Sequence, residues 1–131
     1  MYDDQPAFGA SRRSVAGTTV VELSGELDLL ASAGLSPYLD ALARVSHSDF
    51  IIDLRAVTFI DCSGLSLLCR FRMRALENGG RVRIVSADPS FARLLRLTRL
   101  ARVFEVHPDL ASALARHAGE AGPGATNGAI A

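Results

Sequence analysis

Phe50-Ile51-Ile52-Asp53-Leu54 is a short, nearly unbroken apolar run. Such a run reads as a strand buried on both faces, which occurs where helices cover both sides of a largely parallel sheet. The surrounding pattern agrees with that demand. Phe8 to Val15 is a weak strand candidate and Ala16-Gly17 a turn, while Thr19 to Ser24 is a stronger strand rich in β-branched residues. Leu35, Leu39, Leu42 and Ala43 recur at helical spacing within Ser32–Val45, and Pro37 sets the start of the regular helix close to Ser36. Val57 to Ile60 is a short extended segment. A helix from Gly64 then carries the stripe Leu65, Leu68, Cys69, Met73 and Leu76, and Asn78-Gly79-Gly80 ends it. Val82 to Ser86 is the next strand. Asp88 caps a helix with Pro89 in its first turn and Phe91, Leu94, Leu95 and Leu97 behind. Val103 to Val106 and Pro108 to His117 complete the series as a strand and a helix. Strands that alternate with helices after an initial hairpin predict one α/β domain. It should hold a mixed, mostly parallel sheet of four to five strands covered by about four helices.

The chain has 131 residues, enough for one core. Residues 1–7 read as a flexible N-terminal tail, 8–118 as the domain, and 119–131, with glycines, Pro123 and Asn127, as a disordered C-terminal tail. No apolar run approaches the roughly 18 residues of a membrane helix. The opening Met1-Tyr2-Asp3-Asp4 is acidic and polar, unlike a secretory signal, so a cytoplasmic protein is expected. Net charge is zero but unevenly laid out. Glu22 to Asp61 is acidic, whereas Arg70 to Arg102 holds nine arginines against Glu77 and Asp88. Arg70 and Arg74 share a helix face, as do Arg96 and Arg99. With only Phe71 and Phe91 interleaved and no nucleic-acid motif, these faces read as solvated or as docking for an acidic partner, with no direct contact to nucleic acid. Cys62 and Cys69 lie seven apart, roughly 10 Å along a helix, too far for a disulfide. With no histidine beside them they make no zinc site, and no metal or cofactor is expected. His47, His107 and His117 are scattered and read as surface residues.

The stretch that bears on function is Asp61-Cys62-Ser63-Gly64-Leu65, at a junction between an apolar extended segment and a helix. Ser63 suits the N-cap of a helix starting at Gly64. Capping alone leaves the glycine unexplained, because glycine in a first turn costs stability, whereas it lets another backbone approach closely. No base or acid partner that would make Ser63 a nucleophile stands nearby, so no catalytic residue is assigned. The helix N-terminus accommodates a phosphate, so on the motif alone Ser63 reads either as a cap or as a serine acted upon by another protein.

This stretch resembles the Asp-Ser-Ser-Gly-Leu signature of the bacterial STAS-domain anti-sigma factor antagonists. Leu23-Ser24-Gly25-Glu26-Leu27-Asp28 resembles the Gly-Glu-Leu-Asp that follows a strand in that family, and Asn78-Gly79-Gly80 before Val82 is a third match in order and spacing. The resemblance covers about Thr18 to His117. It implies a STAS domain and a phosphorylation site at Ser63, with Cys62 in place of the family's first serine. It further implies that the unphosphorylated protein binds an anti-sigma factor serine kinase and releases a sigma factor. Phosphorylation ends that complex, and a serine phosphatase acting on phospho-Ser63 restores it. Asp28, Asp61, Cys62, Ser63, Gly64 and Leu65 are then the partner-binding residues. The alternatives are that Asp28 is a turn residue and that Asp61 supports the loop.

Other residues have two readings each. Cys62 beside a helix N-terminus invites a redox role, against the commoner one of a small buried residue. Cys69 reads as core. Leu67 and Phe71, off the predicted stripe, are either exposed partner contacts or packed under a neighbouring helix. The competing function is a non-switching STAS scaffold subunit of a transport or signalling complex, in which Ser63 only caps. An enzyme ranks third.

Overall fold

The structure, a computed structural model, describes residues 7–120, with side chains described through Ala115. The two tails expected from the sequence fall largely outside that range. Chain order is β1 (Phe8–Val15), β2 (Thr18–Leu27), α1 (Leu29–Ala43), β3 (Asp49–Ile60), α2 (Cys62–Glu77), β4 (Arg81–Val85), α3 (Pro89–Leu97), β5 (Glu105–His107) and α4 (Leu110–Glu120). The five strands form one sheet in the order β1-β2-β3-β4-β5. Ala16 and Gly17, both at positive φ (51° and 84°), make the tight turn that sets β1 antiparallel to β2. Every later neighbour is parallel, because a helix intervenes between each pair of strands.

The run Phe50–Leu54 lies in β3 at the centre of the sheet and is buried on both faces. Phe50 and Ile52 join Leu23, Ile84 and the helices α1, α2 and α3 on one side. Ile51 joins Val20 and Val85 beneath Ala113 of α4 on the other. The sheet face under α4 also holds a buried charge that the strand pattern did not reveal. Arg83 of β4 is wholly inaccessible. It donates two bonds to Asp49 (2.6 and 2.8 Å) and one to the Ala113 carbonyl, while Thr18 donates to the same Asp49 carboxylate at 2.8 Å. A buried guanidinium is tolerable only when paired in this way.

Three expectations change. α1 begins at Leu29 rather than near Ser36, because Asp28 caps it as soon as β2 ends. Pro37 therefore lies inside the helix. It removes the N–H that would bond the Ala33 carbonyl, but both residues are exposed and water can satisfy that carbonyl. β3 is one continuous strand instead of two segments. On α2 the inner line is Gly64, Leu68, Phe71 and Ala75, so Leu67 and Phe71 are buried while Met73 and Leu76 of the predicted stripe are exposed. The small residues Gly64 and Ala75 carry little apolar signal, which displaced the apparent stripe. Phe71 meets Phe50 edge to face at 4.9 Å. Cys69 packs partly buried against the core, and burial pushes its thiol pKa up.

Candidate functional site

The site forms where β2 and β3 end side by side, with Leu27 opposite Ile60 in the parallel register. The next residue in each strand is an aspartate, and the two behave alike. Asp28 (φ −106°, ψ −165°) accepts from the Ala31 N–H at 3.0 Å and caps α1. Asp61 (φ −112°, ψ −167°) accepts from the Ser63 and Gly64 N–H groups at 2.8 and 3.1 Å and caps α2. Two helices thus start together, each with a carboxylate over its free N–H groups. The Asp61 N–H also donates to the Leu27 carbonyl at 3.4 Å, which ties the two strand ends.

This geometry corrects the role given to Ser63. It is not the cap but the second residue of α2, because Asp61 already takes its backbone N–H. Among the described residues none hydrogen-bonds its half-buried hydroxyl. Cys62, the first residue of the helix, is exposed rather than buried, since the opening position of α2 faces away from the sheet. Gly64 has a reason internal to the fold. A Cβ there would overlap the Leu27 carbonyl oxygen and come within 2.8 Å of Ile60 and 2.9 Å of the Leu27 side chain. The close approach that only glycine allows is therefore to the neighbouring strand end of the same molecule. Leu65 is 3% exposed and anchors the helix in the core. The structure brings all six predicted residues to one end of the sheet. It leaves Asp28, Asp61, Cys62 and Ser63 accessible in some degree and buries Gly64 and Leu65.

Two clefts flank this end. One, of about 290 Å³, runs between α1 and α2 and is lined by Leu29, Ser32, Ser36, Ser63, Ser66, Leu67 and Arg70. The other, of about 310 Å³, lies beyond β3 against α3 and includes Thr58, Phe59, Ser86, Asp88 and Ser90. Leu29, Leu30 and Phe59 are large apolar side chains left exposed beside the two caps. The sequence reading missed them because Leu29 and Leu30 fall before the expected helix and Phe59 reads only as part of a short extended segment leading to the serine. The arginines Arg70 and Arg74 do not form a free basic face. Both reach across to Asp40 on α1, Arg70 through two bonds of 2.8 and 3.1 Å and Arg74 at 3.5 Å. The Arg70 bonds hold the Asp40 carboxyl below its ordinary pKa range.

Among the described residues no histidine lines the groove beside Ser63. His47 is exposed in the α1–β3 turn, His107 pairs with Glu105 at 2.8 Å, and the His117 side chain lies outside the described set. Among the described residues no three His, Cys, Asp or Glu side chains converge as metal ligands, and no helix is long and apolar enough to cross a membrane.

A five-stranded mixed sheet with the Ser63 turn at the carboxyl end of its central strand defines the class. The STAS domain family model matches residues 10–113, and the chain belongs to that family. It is 27% identical over 99 residues to an anti-sigma F factor antagonist of Paenibacillus polymyxa, a match covering 75% of this chain and 85% of that one. It is 30% identical over 74 residues to the anti-sigma-F factor antagonist RsfA of Mycobacterium tuberculosis, covering 56% and 58% of the two chains. The crystal structure of an anti-sigma factor antagonist from Mycobacterium paratuberculosis superposes with a TM-score of 0.75 at 28% identity, over 83% of this chain and 92% of that one.

Proposed function

We propose that this protein is an anti-sigma factor antagonist switched by phosphorylation of Ser63. The unphosphorylated form binds an anti-sigma factor serine kinase in the cytoplasm and so releases a sigma factor. The kinase transfers the γ-phosphoryl group of ATP to the Ser63 oxygen, ADP leaves, and the complex ends. A serine phosphatase hydrolyses the phosphoserine and resets the protein, which itself catalyses nothing.

The observation that carries this reading is the division of labour between Asp61 and Ser63. Asp61 does the capping, so the Ser63 hydroxyl is spared from structural duty and stands at the surface. The similarity to proteins named anti-sigma factor antagonists supports the same reading. Phosphate would add about −1.5 to −2 charges at a surface that already carries Asp28 and Asp61. A partner fitted to a neutral hydroxyl then meets repulsion and loses the desolvation balance of the contact.

Binding of the cognate kinase to three forms tests the proposal. Ser63→Asp should bind at least about tenfold more weakly than the wild type, near 1.4 kcal/mol. Ser63→Ala should bind persistently and take up no phosphate. Wild-type affinity in Ser63→Asp would sink the switch. Ser63 free of phosphate in both growing and stressed cells, together with capture of transporter subunits, would favour the scaffold instead.

A further inference from the structure

Ser63 stands at the head of a seam between α1 and α2. On α2, Ser63, Ser66, Arg70 and Arg74 follow at spacings of three, four and four, which makes one helical stripe. On α1, Ser32, Ser36 and Asp40 follow at spacings of four. The upper part of the seam is the groove that holds four serines, Ser63 among them, and Arg70, with no carboxylate among the described residues of its wall. One of those hydroxyls, Ser32 Oγ, is buried and has no hydrogen-bond partner among the described residues. The seam closes lower down, where Asp40 is served by two arginines. Arg70 donates two bonds to it, and Arg74 stands 3.5 Å from one of its oxygens. The Arg70 side chain is 50% exposed, so its pair with Asp40 is screened by solvent and costs little to exchange.

We propose that Arg70 is the intramolecular partner of a phosphate on Ser63. The phosphate lies back along the groove, Arg70 turns from Asp40 to meet it, and Asp40 passes to Arg74. This rests on the reading of Ser63 as phosphoacceptor. Seven residues separate the two Cα atoms by about 10 Å along the helix. The Arg70 guanidinium now points to Asp40. Because helix side chains lean toward the N-terminus, rotation away from Asp40 carries it toward Ser63, and its length together with that of a phosphoserine covers the gap. A phosphate carries more charge than a carboxylate and offers the same bidentate geometry to a guanidinium, which favours the exchange. Asp40 is not stranded by it, because Arg74 remains within reach. Ser66 and the unpartnered Ser32 supply further donors in the groove wall. Phosphorylation then does more than add charge at the partner surface. It also exchanges one of the two arginine links that tie α1 to α2.

The test is a ³¹P NMR titration of the full chain with phosphoserine installed at position 63 during translation. A nearby cation favours the dianion, so the second ionisation of the phosphate, ordinarily near about 6, should be lowered. Arg70→Gln should raise the midpoint by roughly half a unit to one unit relative to the phosphorylated wild type. The charge-matched control Arg72→Gln, on a different side of α2 in the cleft with Met73, should leave it in place. Melting of the unphosphorylated variants confirms that each folds. Equal midpoints in the wild type and Arg70→Gln overturn the proposal, as does an equal rise in Arg72→Gln. Because the phosphate is installed rather than transferred by a kinase, this result is independent of whether a kinase acts on Ser63. Failure to bind a kinase would remove the proposed function and leave the Arg70 pairing standing.

Discussion

The central strand β3 has an aspartate at its start and another just past its end, and the two have opposite uses. Asp49 is turned into the layer under α4, where it neutralises the buried Arg83 and accepts from Thr18. Asp61 stays at the surface, caps α2, and leaves Ser63 free beside it. A buried charge is committed to its partner, since separating them strands a desolvated ion. A capping charge at the surface costs little to hold and remains available to another molecule. The amino end of β3 is thus a structural device, and its carboxyl end is an exposed turn whose polar groups are only partly used by the fold.

The largest expected effect tests the structural end. Asp49→Ala should cost about 3–5 kcal/mol, because it leaves the Arg83 guanidinium buried without a counter-charge. The double variant Asp49→Leu with Arg83→Met should recover most of that loss. Urea midpoints measure both, and a loss below about 1 kcal/mol in Asp49→Ala would mean that water reaches Arg83. At the other end, Gly64→Ala should cost about 2–3 kcal/mol, since its Cβ meets a backbone carbonyl that cannot rotate away. Ser63→Ala one residue earlier should stay within about 0.5 kcal/mol of wild type. If the two proved equally stable, the wedge of Gly64 against Leu27 would not exist in solution.

The caps sharpen the comparison further. Asp61→Ala and Asp28→Ala should each cost about 1 kcal/mol, whereas Asp61→Asn should keep the cap and lose only the charge. Kinase binding by Asp61→Asn then separates the two roles. Weakened binding at unchanged stability assigns the carboxylate to the partner surface, and unchanged binding leaves it a cap alone. The smallest effect is on acid stability. Burial pushes the Asp53 carboxyl up, but its bonds from Arg55 outweigh this and hold it below the ordinary range, while the Arg70 bonds lower Asp40. A carboxyl whose folded pKa is depressed contributes stability above its unfolded value of about 4 and loses it as the pH falls through the folded value. Between pH 6 and pH 3, the denaturation midpoint should therefore fall less in Asp53→Asn than in wild type. An identical fall in both would show that the Asp53–Arg55 pair adds nothing.

The local signals determined a great deal. The doubly buried run in β3, the Ala16-Gly17 turn, the Asp88-Pro89 start and the Asn78-Gly79 stop all act within a few residues, where backbone preference and periodicity decide the outcome. They were enough to specify an α/β domain with a mixed sheet and to single out Asp61 to Leu65. What they could not supply depends on neighbours distant in the chain. Which side of α2 is buried was decided by α1, β3 and β4 together, which is why Leu67 and Phe71 are inside and Met73 outside. Whether Asp61 or Ser63 caps α2 depends on where the chain leaves β3 beside Leu27. That Arg83 is a core residue and Arg70 a clamp follows from Asp49 and Asp40, 34 and 30 residues away. Pattern reports the preference of a residue for an environment, but only packing decides which groups share that environment, and pairing and burial are what give a charge its role.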